Sequence, residues 1–326
     1  MKIVLGKTQS EWGEKKSFLQ TWEYGDFLAS IGRDIKRKSY TLDNETIDIQ
    51  QINTGLPLGK KTTYIPHADI PASHIDGVLD DLKKEGFAFV RLESLADLDL
   101  SAYNTRKTIN RQPQYTWILP LEGSMDDLYA NMHRKTRYNI RLAKKKRVEI
   151  EQKNDYQTFA TLNALTTKRQ QYTSISDTYL KEVLELPHVY QFNAIHDNDI
   201  LATAITLEYK DTLYYLIGAS SDEKRSVMAP YALHEHIIAW AMERGLETYD
   251  LWGTAPTGEK GKENTLCHHE YCWDRTHPLS GVARFKAGFG GHLYSHPDAV
   301  DIIFDKTYYT LFSIYQRMRG VRIAGQ

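Results

Sequence analysis

Apolar positions along this chain follow two periods. Leu79–Gly86 and Ile238–Gly245 both have the spacing of an amphipathic helix, and each stops at a glycine. The first runs into the extended stretch Phe87–Leu92, the second into Leu246–Leu251. One helix, glycine and strand unit therefore occurs twice, roughly half a chain apart, which predicts duplication of a single domain. In the second half, His188–Ile195, Ile200–Tyr209 and Thr212–Gly218 are β-rich runs. Polar turns at Asp197–Asp199 and Lys210–Asp211 separate them, as in an antiparallel meander. A helix over Ala229–Arg244 follows, with Pro230 in its first turn. Upstream, Met125–Lys146 reads as one long helix with Leu128, Met132, Ile140 and Leu142 on its buried side.

Alternating helices and strands predict an α/β (α+β) fold. The order strand, strand, strand, helix, strand in the second half is that of an N-acyltransferase core of the acetyltransferase type. The dividing point is expected near Arg147, after the basic helix. That gives a first domain over 1–147, joined by the C-terminal segment 298–326, and a second over 148–297. No low-complexity linker lies between them, so the two are expected to pack together.

Composition narrows the classes. With 41% hydrophobic and 25% charged residues, the chain is globular rather than disordered. A net charge of −1 means that any nucleic-acid contact must come from a local patch. No run of about 18 apolar residues is present, so no membrane span is expected. Met1–Gly6 is too short an apolar run for a signal peptide. Cys267 and Cys272 give no disulfide framework and suit a reducing cytoplasm.

Several motifs carry candidate chemistry. Gly281–Gly291 reads as a short strand bearing Lys286 beside Arg284, ahead of a glycine-rich turn. With Phe285 turned into a core, alternation points Lys286 into a cleft. Gly288, Gly290 and Gly291 would let backbone or substrate approach closely. The basic helix carries Arg134, Lys135, Arg137, Arg141, Lys144 and Lys145, followed by Lys146 and Arg147. This is either a solvated face or a stripe that tracks the phosphates of tRNA or a diphosphate. The turn Ser226–Tyr231 stands where acetyl-CoA enzymes cradle a pyrophosphate, yet it has no glycine and Pro230 has no N–H. Cys267–Cys272 encloses two histidines and a glutamate, but the spacing fits no zinc pattern; a surface loop without metal is expected. Tyr308, Leu311, Phe312, Tyr315 and Met318 have helical spacing near Arg317, Arg319 and Arg322. Core packing or a membrane-surface face both fit that run. No nucleophile elbow, P-loop or dinucleotide fingerprint is present.

In four places the chain resembles the Fem peptidyltransferases, the FemABX family of bacterial cell-wall enzymes. These are Phe18–Gly25 around Trp22, and Lys135–Arg141 followed by Lys144–Val148. The others are Ala229–Tyr231 with Tyr249–Gly253, and His277–Pro278 with Gly281–Gly291. The resemblance implies two acetyltransferase (GNAT)-like domains with a cleft at their junction and no coiled-coil arm. It implies transfer of an amino acid from aminoacyl-tRNA to the stem-peptide amine of lipid II or of the UDP-linked pentapeptide, with no cofactor beyond that co-substrate. It places catalysis on Lys286 and Tyr215; the candidate substrate contacts in this sequence are Trp22, Lys36, Arg37, Tyr231, Tyr249, Trp252 and Arg284. The basic helix becomes the tRNA or phosphate face. A cytoplasmic monomer is expected, and the Tyr308–Met318 run leaves room for peripheral contact at the inner membrane leaflet.

The chain departs from the armless pattern at two places. Asp211 stands where a basic residue holds the precursor diphosphate, and Tyr24 or Asp26 where a phosphate lysine is expected. Lys36 and Arg37 are the substitutes, and lipid II stays open as the acceptor. In this reading Lys286 is a fixed cation for the oxyanion and Tyr215 orients the acceptor. An acyl-CoA-dependent N-acyltransferase on the same fold, or a non-catalytic module docking tRNA or lipid II, are the competing classes.

Overall fold

Strands β1 (Lys2–Leu5), β2 (Asp34–Leu42), β3 (Glu45–Gly55) and β4 (Lys61–Ala68) form an antiparallel run, with helix α1 (Trp22–Ser30) ahead of β2. Helix α2 (Ala72–Lys84) then crosses to β5 (Phe89–Ser94), which pairs parallel with β4, and β6 (Thr105–Lys107) follows. Ile75, Val78, Leu79 and Leu82 fill one face of α2, and Gly86, at φ 81°, turns the chain into β5. This is a computed structural model, and it describes residues 1–170 and 176–318; Arg319 and Arg322 lie outside the described residues.

The next elements build a second sheet. They are β7 (Tyr115–Pro120), α3 (Met125–Asn131), α4 (Arg134–Lys145), β8 (Glu149–Gln152), α5 (Tyr156–Gln170) and α6 (Asp177–Leu184). Strands β9 (Val189–His196), β10 (Asp199–Tyr209) and β11 (Thr212–Ser220) follow as the expected meander. Asp197 and Asn198 take the positive φ that a tight two-residue hairpin turn requires. Helix α7 (Ala229–Glu243) then crosses to β12 (Thr248–Gly253), parallel to β11. A small hairpin, β13 (Thr265–His268) and β14 (Tyr271–Asp274), leads to α8 (Ser280–Ala287) and β15 (His292–Ser295). The last described elements are β16 (Val300–Ile303) and α9 (Lys306–Met318).

The two seven-stranded sheets match position by position. One has the order β1-β2-β3-β4-β5-β16-β6 and the other, reversed, β8-β9-β10-β11-β12-β7-β15. In each, the fourth and fifth strands are parallel and joined by a helix. The expected duplication is therefore present, with one difference. The sixth position of each sheet is filled by a strand from outside the run that builds the rest: β16 in the first, β7 in the second.

That exchange moves the division of the chain. The two units are Met1–Gln114 with His296–Gln326, and Tyr115–Ser295, so the boundary lies at Gln114/Tyr115 and not near Arg147. β7 pairs antiparallel with β12, and Leu128, Met132 and Ile140 from α3 and α4 lie in the second core. In the first unit, Arg91 holds Asp301 of β16 through two bonds of 2.8 and 3.0 Å, and Tyr309 of α9 donates to the same carboxylate at 2.8 Å.

The long basic helix is also broken. Met132 is extended (ψ 148°), and His133 caps α4 by accepting from the Lys135 N–H at 3.2 Å. Arg137 donates to the carbonyls of Tyr129, Ala130 and Met132, which closes the open end of α3. Among the described residues, no helix is long and apolar enough to cross a membrane.

Candidate active site

β10 and β11 are in register up to Ile205–Ile217, then resume at Thr206–Tyr215. Leu216 is the extra residue of a bulge, which bends β11 and re-aims Tyr215. The parallel pairing of β11 with β12 covers only Thr212–Tyr214 against Thr248–Asp250. Beyond it the two strands part, and a wedge opens in the sheet of the second unit.

The end of β12 is shaped by Asp250. Its Oδ1 accepts from the Thr116 hydroxyl on β7 and from the Trp252 N–H at 2.7 Å. The second bond spans two residues and supports Trp252 at φ 63°, a conformation costly for a bulky side chain. The resulting turn aims the Gly253 carbonyl at Lys286, whose Nζ donates to it at 2.5 Å.

Lys286 does not sit on a strand. Ser280–Ala287 is the helix α8, and Ala283, Lys286 and Ala287 are its buried face. Small alanines on that face let the helix lie close to its neighbours, and the lysine stem reaches inward between them. Lys286 is 5% exposed, and Asp250 likewise 5%. Burial pulls the Lys286 ammonium down to about 7, with the Asp250 carboxylate opposing the shift. Burial pushes Asp250 up to about 6 against its bonds from Thr116 and Trp252 and the pull of Lys286. An acid and an amine that both titrate near neutrality, inside one wedge, are what proton-transfer chemistry requires.

Tyr215 lies beside this pair, with its ring centroid 5.6 Å from the Lys286 Nζ. The buried His234 of α7 holds it edge-on at 4.7 Å and bonds the Tyr249 hydroxyl at 3.0 Å through Nδ1. Burial, with Lys286 nearby, pushes His234 down to about 3, so this ring stays neutral and is a weak base. A Cβ at Gly218 would stand 1.6 Å from the Tyr215 hydroxyl. Gly218→Ala is therefore expected to displace Tyr215 and lower kcat by roughly tenfold or more with little change in melting temperature. Steady-state kinetics alongside a thermal melt checks this.

The other expected residues divide into groups. Tyr231 packs edge-on against Phe285 at 5.1 Å, and Trp252 against Tyr214 at 5.7 Å, so both can wall the wedge. Tyr249 is fully buried and bonded to His234; it is a core side chain and not a substrate contact. Arg284 is exposed, away from the buried face of α8. On α4, Arg134, Lys135, Arg141, Lys144 and Lys145 are exposed, though Lys144 pairs with Glu235 at 2.6 Å. Arg137 is committed to capping α3, as described above. In the first unit, the Arg37 guanidinium lies 3.8 Å from the Trp22 ring centroid and pairs with Asp26 at 2.7 Å, while Lys36 pairs with Glu85 at 2.8 Å.

Three residues of the wedge escape the sequence reading: Asp250, Thr116 and His234. Asp250 lies inside a motif valued for its aromatics, and an acid in an otherwise apolar strand was the available signal. Cys267 and Cys272 also differ from expectation. They face each other across the β13–β14 hairpin and are joined in a disulfide, with Cα atoms 4.0 Å apart. That hairpin borders a cavity of ≈ 700 Å³ together with Trp117, Glu122, Gly291 and His292, and none of the expected site residues lines it.

The comparisons agree with this architecture. A sequence model of the FemAB family matches residues 66–187 and 185–317. The UDP-N-acetylmuramoylpentapeptide-lysine N(6)-alanyltransferase of Weissella viridescens is 25% identical over 205 residues, covering 58% of this chain and 56% of its own length. The aminoacyltransferase FemB of Staphylococcus epidermidis is 26% identical over 142 residues, 43% of this chain and 30% of its own. The chain thus spans about half the length, or less, of these relatives. The crystal structure of FemX superposes with a TM-score of 0.76 at 18% identity, over 95% of this chain and 99% of that one. L-PGS from Bacillus licheniformis shares the fold at a TM-score of 0.55 and 13% identity, over 96% and 100%. Because the family match runs through both units and across the Lys286 helix, the chain belongs to the FemAB family.

Proposed function

We propose that this protein is an aminoacyltransferase that moves an amino acid from aminoacyl-tRNA to the side-chain amine of a peptidoglycan stem peptide. The acceptor is carried on lipid II or on the UDP-linked pentapeptide, and the protein works as a cytoplasmic monomer. The observation that carries the reading is Lys286, buried beside Asp250 and Tyr215 where β11 and β12 part. The relatives, an alanyltransferase acting on a pentapeptide lysine and an aminoacyltransferase, support the substrate class.

The tRNA ester is already an activated acyl donor, so the task is to free the acceptor amine and to manage charge. The acceptor arrives as an ammonium. Neutral Lys286 takes a proton from it, and the free amine attacks the ester carbonyl. The new ammonium of Lys286 then faces the developing oxyanion. As the C–O bond breaks, a proton passes to the departing ribose oxygen, and Lys286 releases the remaining one to solvent. This extends the fixed-cation role: one side chain serves as base first and as cation afterwards. Asp250 keeps the charged form accessible, and Tyr215 orients the acceptor. Exposed Arg134, Lys135, Arg141 and Lys145 supply a phosphate-tracking face for the tRNA.

The acyl-CoA alternative is disfavoured by the turn ahead of α7. The N–H groups of Val227, Met228 and Tyr231 are bonded to Lys224, Arg225 and Met228 carbonyls within the turn, and Pro230 has none. They are not directed at a pyrophosphate.

The test is a transfer assay read by mass spectrometry, with mixed charged tRNA and either acceptor in parallel. An acceptor mass gain of one amino-acid residue, lost on RNase treatment, is expected. Acetyl transfer from acetyl-CoA to a free amine, with no gain on either acceptor, would establish the runner-up. The proton role has its own signature. Lys286 is neutral above about 7, so kcat should rise with pH through that value. Asp250→Asn keeps the acceptor for Thr116 and Trp252 but removes the counter-charge, so the rising limb should move to lower pH. An unmoved limb would exclude Lys286 as the titrating base.

A further inference from the structure

Helix α9 buries one side and exposes another apolar side. Tyr308, Tyr309 and Ser313 face the core of the first unit, with Phe312 against Phe89. Leu311, Ile314, Tyr315 and Met318 are 58%, 50%, 44% and 83% exposed. Their spacing of i, i+3, i+4 and i+7 places all four on one stripe of the helix. Core packing therefore accounts for only part of this run.

An exposed apolar turn adjoins the helix. The Tyr308 hydroxyl donates to the Pro57 carbonyl at 3.0 Å, which brings the turn Pro57–Gly59 alongside α9. Leu58 in that turn is 86% exposed. Lys60 and Lys61 follow it directly, and Lys306 and Arg317 are exposed on α9. Asp305, at the start of the helix, caps Tyr308 and pairs with Lys60 at 2.9 Å. From Lys306 to Gln326 the sequence holds lysine and arginine but no acid.

We infer that this face, α9 with the Leu58 turn, rests on the surface of an anionic phospholipid bilayer. An apolar stripe flanked by exposed cations, here Lys306 and Arg317, is the pattern of a helix lying in the interfacial plane. The stripe enters the acyl boundary while Lys306 and Arg317 meet the headgroups. A second copy fits less well, because a two-fold contact sets each patch against itself and brings these cations together. The inference is independent of the transfer chemistry, since binding requires no substrate, but it names where a lipid-carried acceptor would be met.

The test is co-sedimentation of the full chain with phosphatidylglycerol/phosphatidylcholine vesicles and with phosphatidylcholine vesicles alone. Binding is expected to the anionic vesicles only and to weaken as salt rises. Leu311→Ser with Met318→Ser should lower the partition coefficient at least about tenfold. Both side chains are exposed, so the circular dichroism melt and transfer to the soluble UDP-linked acceptor should stay as in the parent. Equal binding by parent and variant, or none by the parent, would overturn the inference. So would a concentration-dependent dimer by sedimentation velocity that the double variant abolishes, with no vesicle binding. Loss of transfer to the soluble acceptor in the parent bears only on the proposed function.

Discussion

Replacing Lys286 by methionine is expected to abolish transfer while leaving the protein folded. Methionine keeps the length of the stem and suits a site that is 5% exposed. The substitution removes the hydrogen bond of Nζ to the Gly253 carbonyl, a loss of about 1 kcal/mol in stability. It also removes both the proton acceptor and the cation facing the oxyanion. Losing one such group lowers kcat by roughly 10²–10³-fold, and losing two roles carried by one atom should reach the upper end of that range. The measurement is kcat with saturating charged tRNA, together with a thermal melt. Turnover within tenfold of the parent, in a folded variant, would remove Lys286 from the mechanism.

Gly291→Ala is expected to have the largest effect on stability. Gly291 sits at φ 85°, and a Cβ there would lie 2.2 Å from the Ile118 carbonyl oxygen. That oxygen belongs to the backbone of β7, which pairs with β15 at His292↔Ile118, so the neighbour cannot swing aside. The left-handed φ adds about 1–2 kcal/mol for a residue with a side chain. Together they should lower stability by about 3 kcal/mol or more and the melting temperature by roughly 6–12 °C. Gly281→Ala is the control. Nothing lies within 4 Å of its Cβ, and alanine favours the helix. It should be neutral or slightly stabilising. Similar melts for the two variants would show that the glycines of this segment act through something other than close backbone approach.

What the sequence allowed one to read depended on local signals. Gly86 and Gly245 mark helix ends in the chain and adopt positive φ in the structure, so the repeated unit was legible. The meander was legible from its polar turns. The break at Met132–His133 was not, because neither residue interrupts a helical pattern by itself. It depends on Arg137 reaching back to three carbonyls. Ser280–Ala287 is too short for periodicity to decide. Ala283 and Phe285 alternate as in a strand, while Ala283, Lys286 and Ala287 also lie on one helical face. The side chain was identified and its element was not. Asp250 was invisible as a site residue because its role depends on Thr116, which is 134 positions away in sequence. Cys267 and Cys272 pair only because a hairpin turn brings them opposite one another.

The strand exchange has a consequence for how the chain is made. Among the described residues β6 adjoins its sheet through β16 alone, and β16 also covers the edge of β5. During translation the first unit must therefore wait until the second has been made before its sheet can close. Until then β5 presents an unpaired edge, the kind of surface that chaperones bind and aggregates nucleate on. The second unit has no such delay, because β7 emerges before the rest of its sheet. The ribosome thus delivers the unit carrying Lys286 complete, while the other closes its sheet only afterwards.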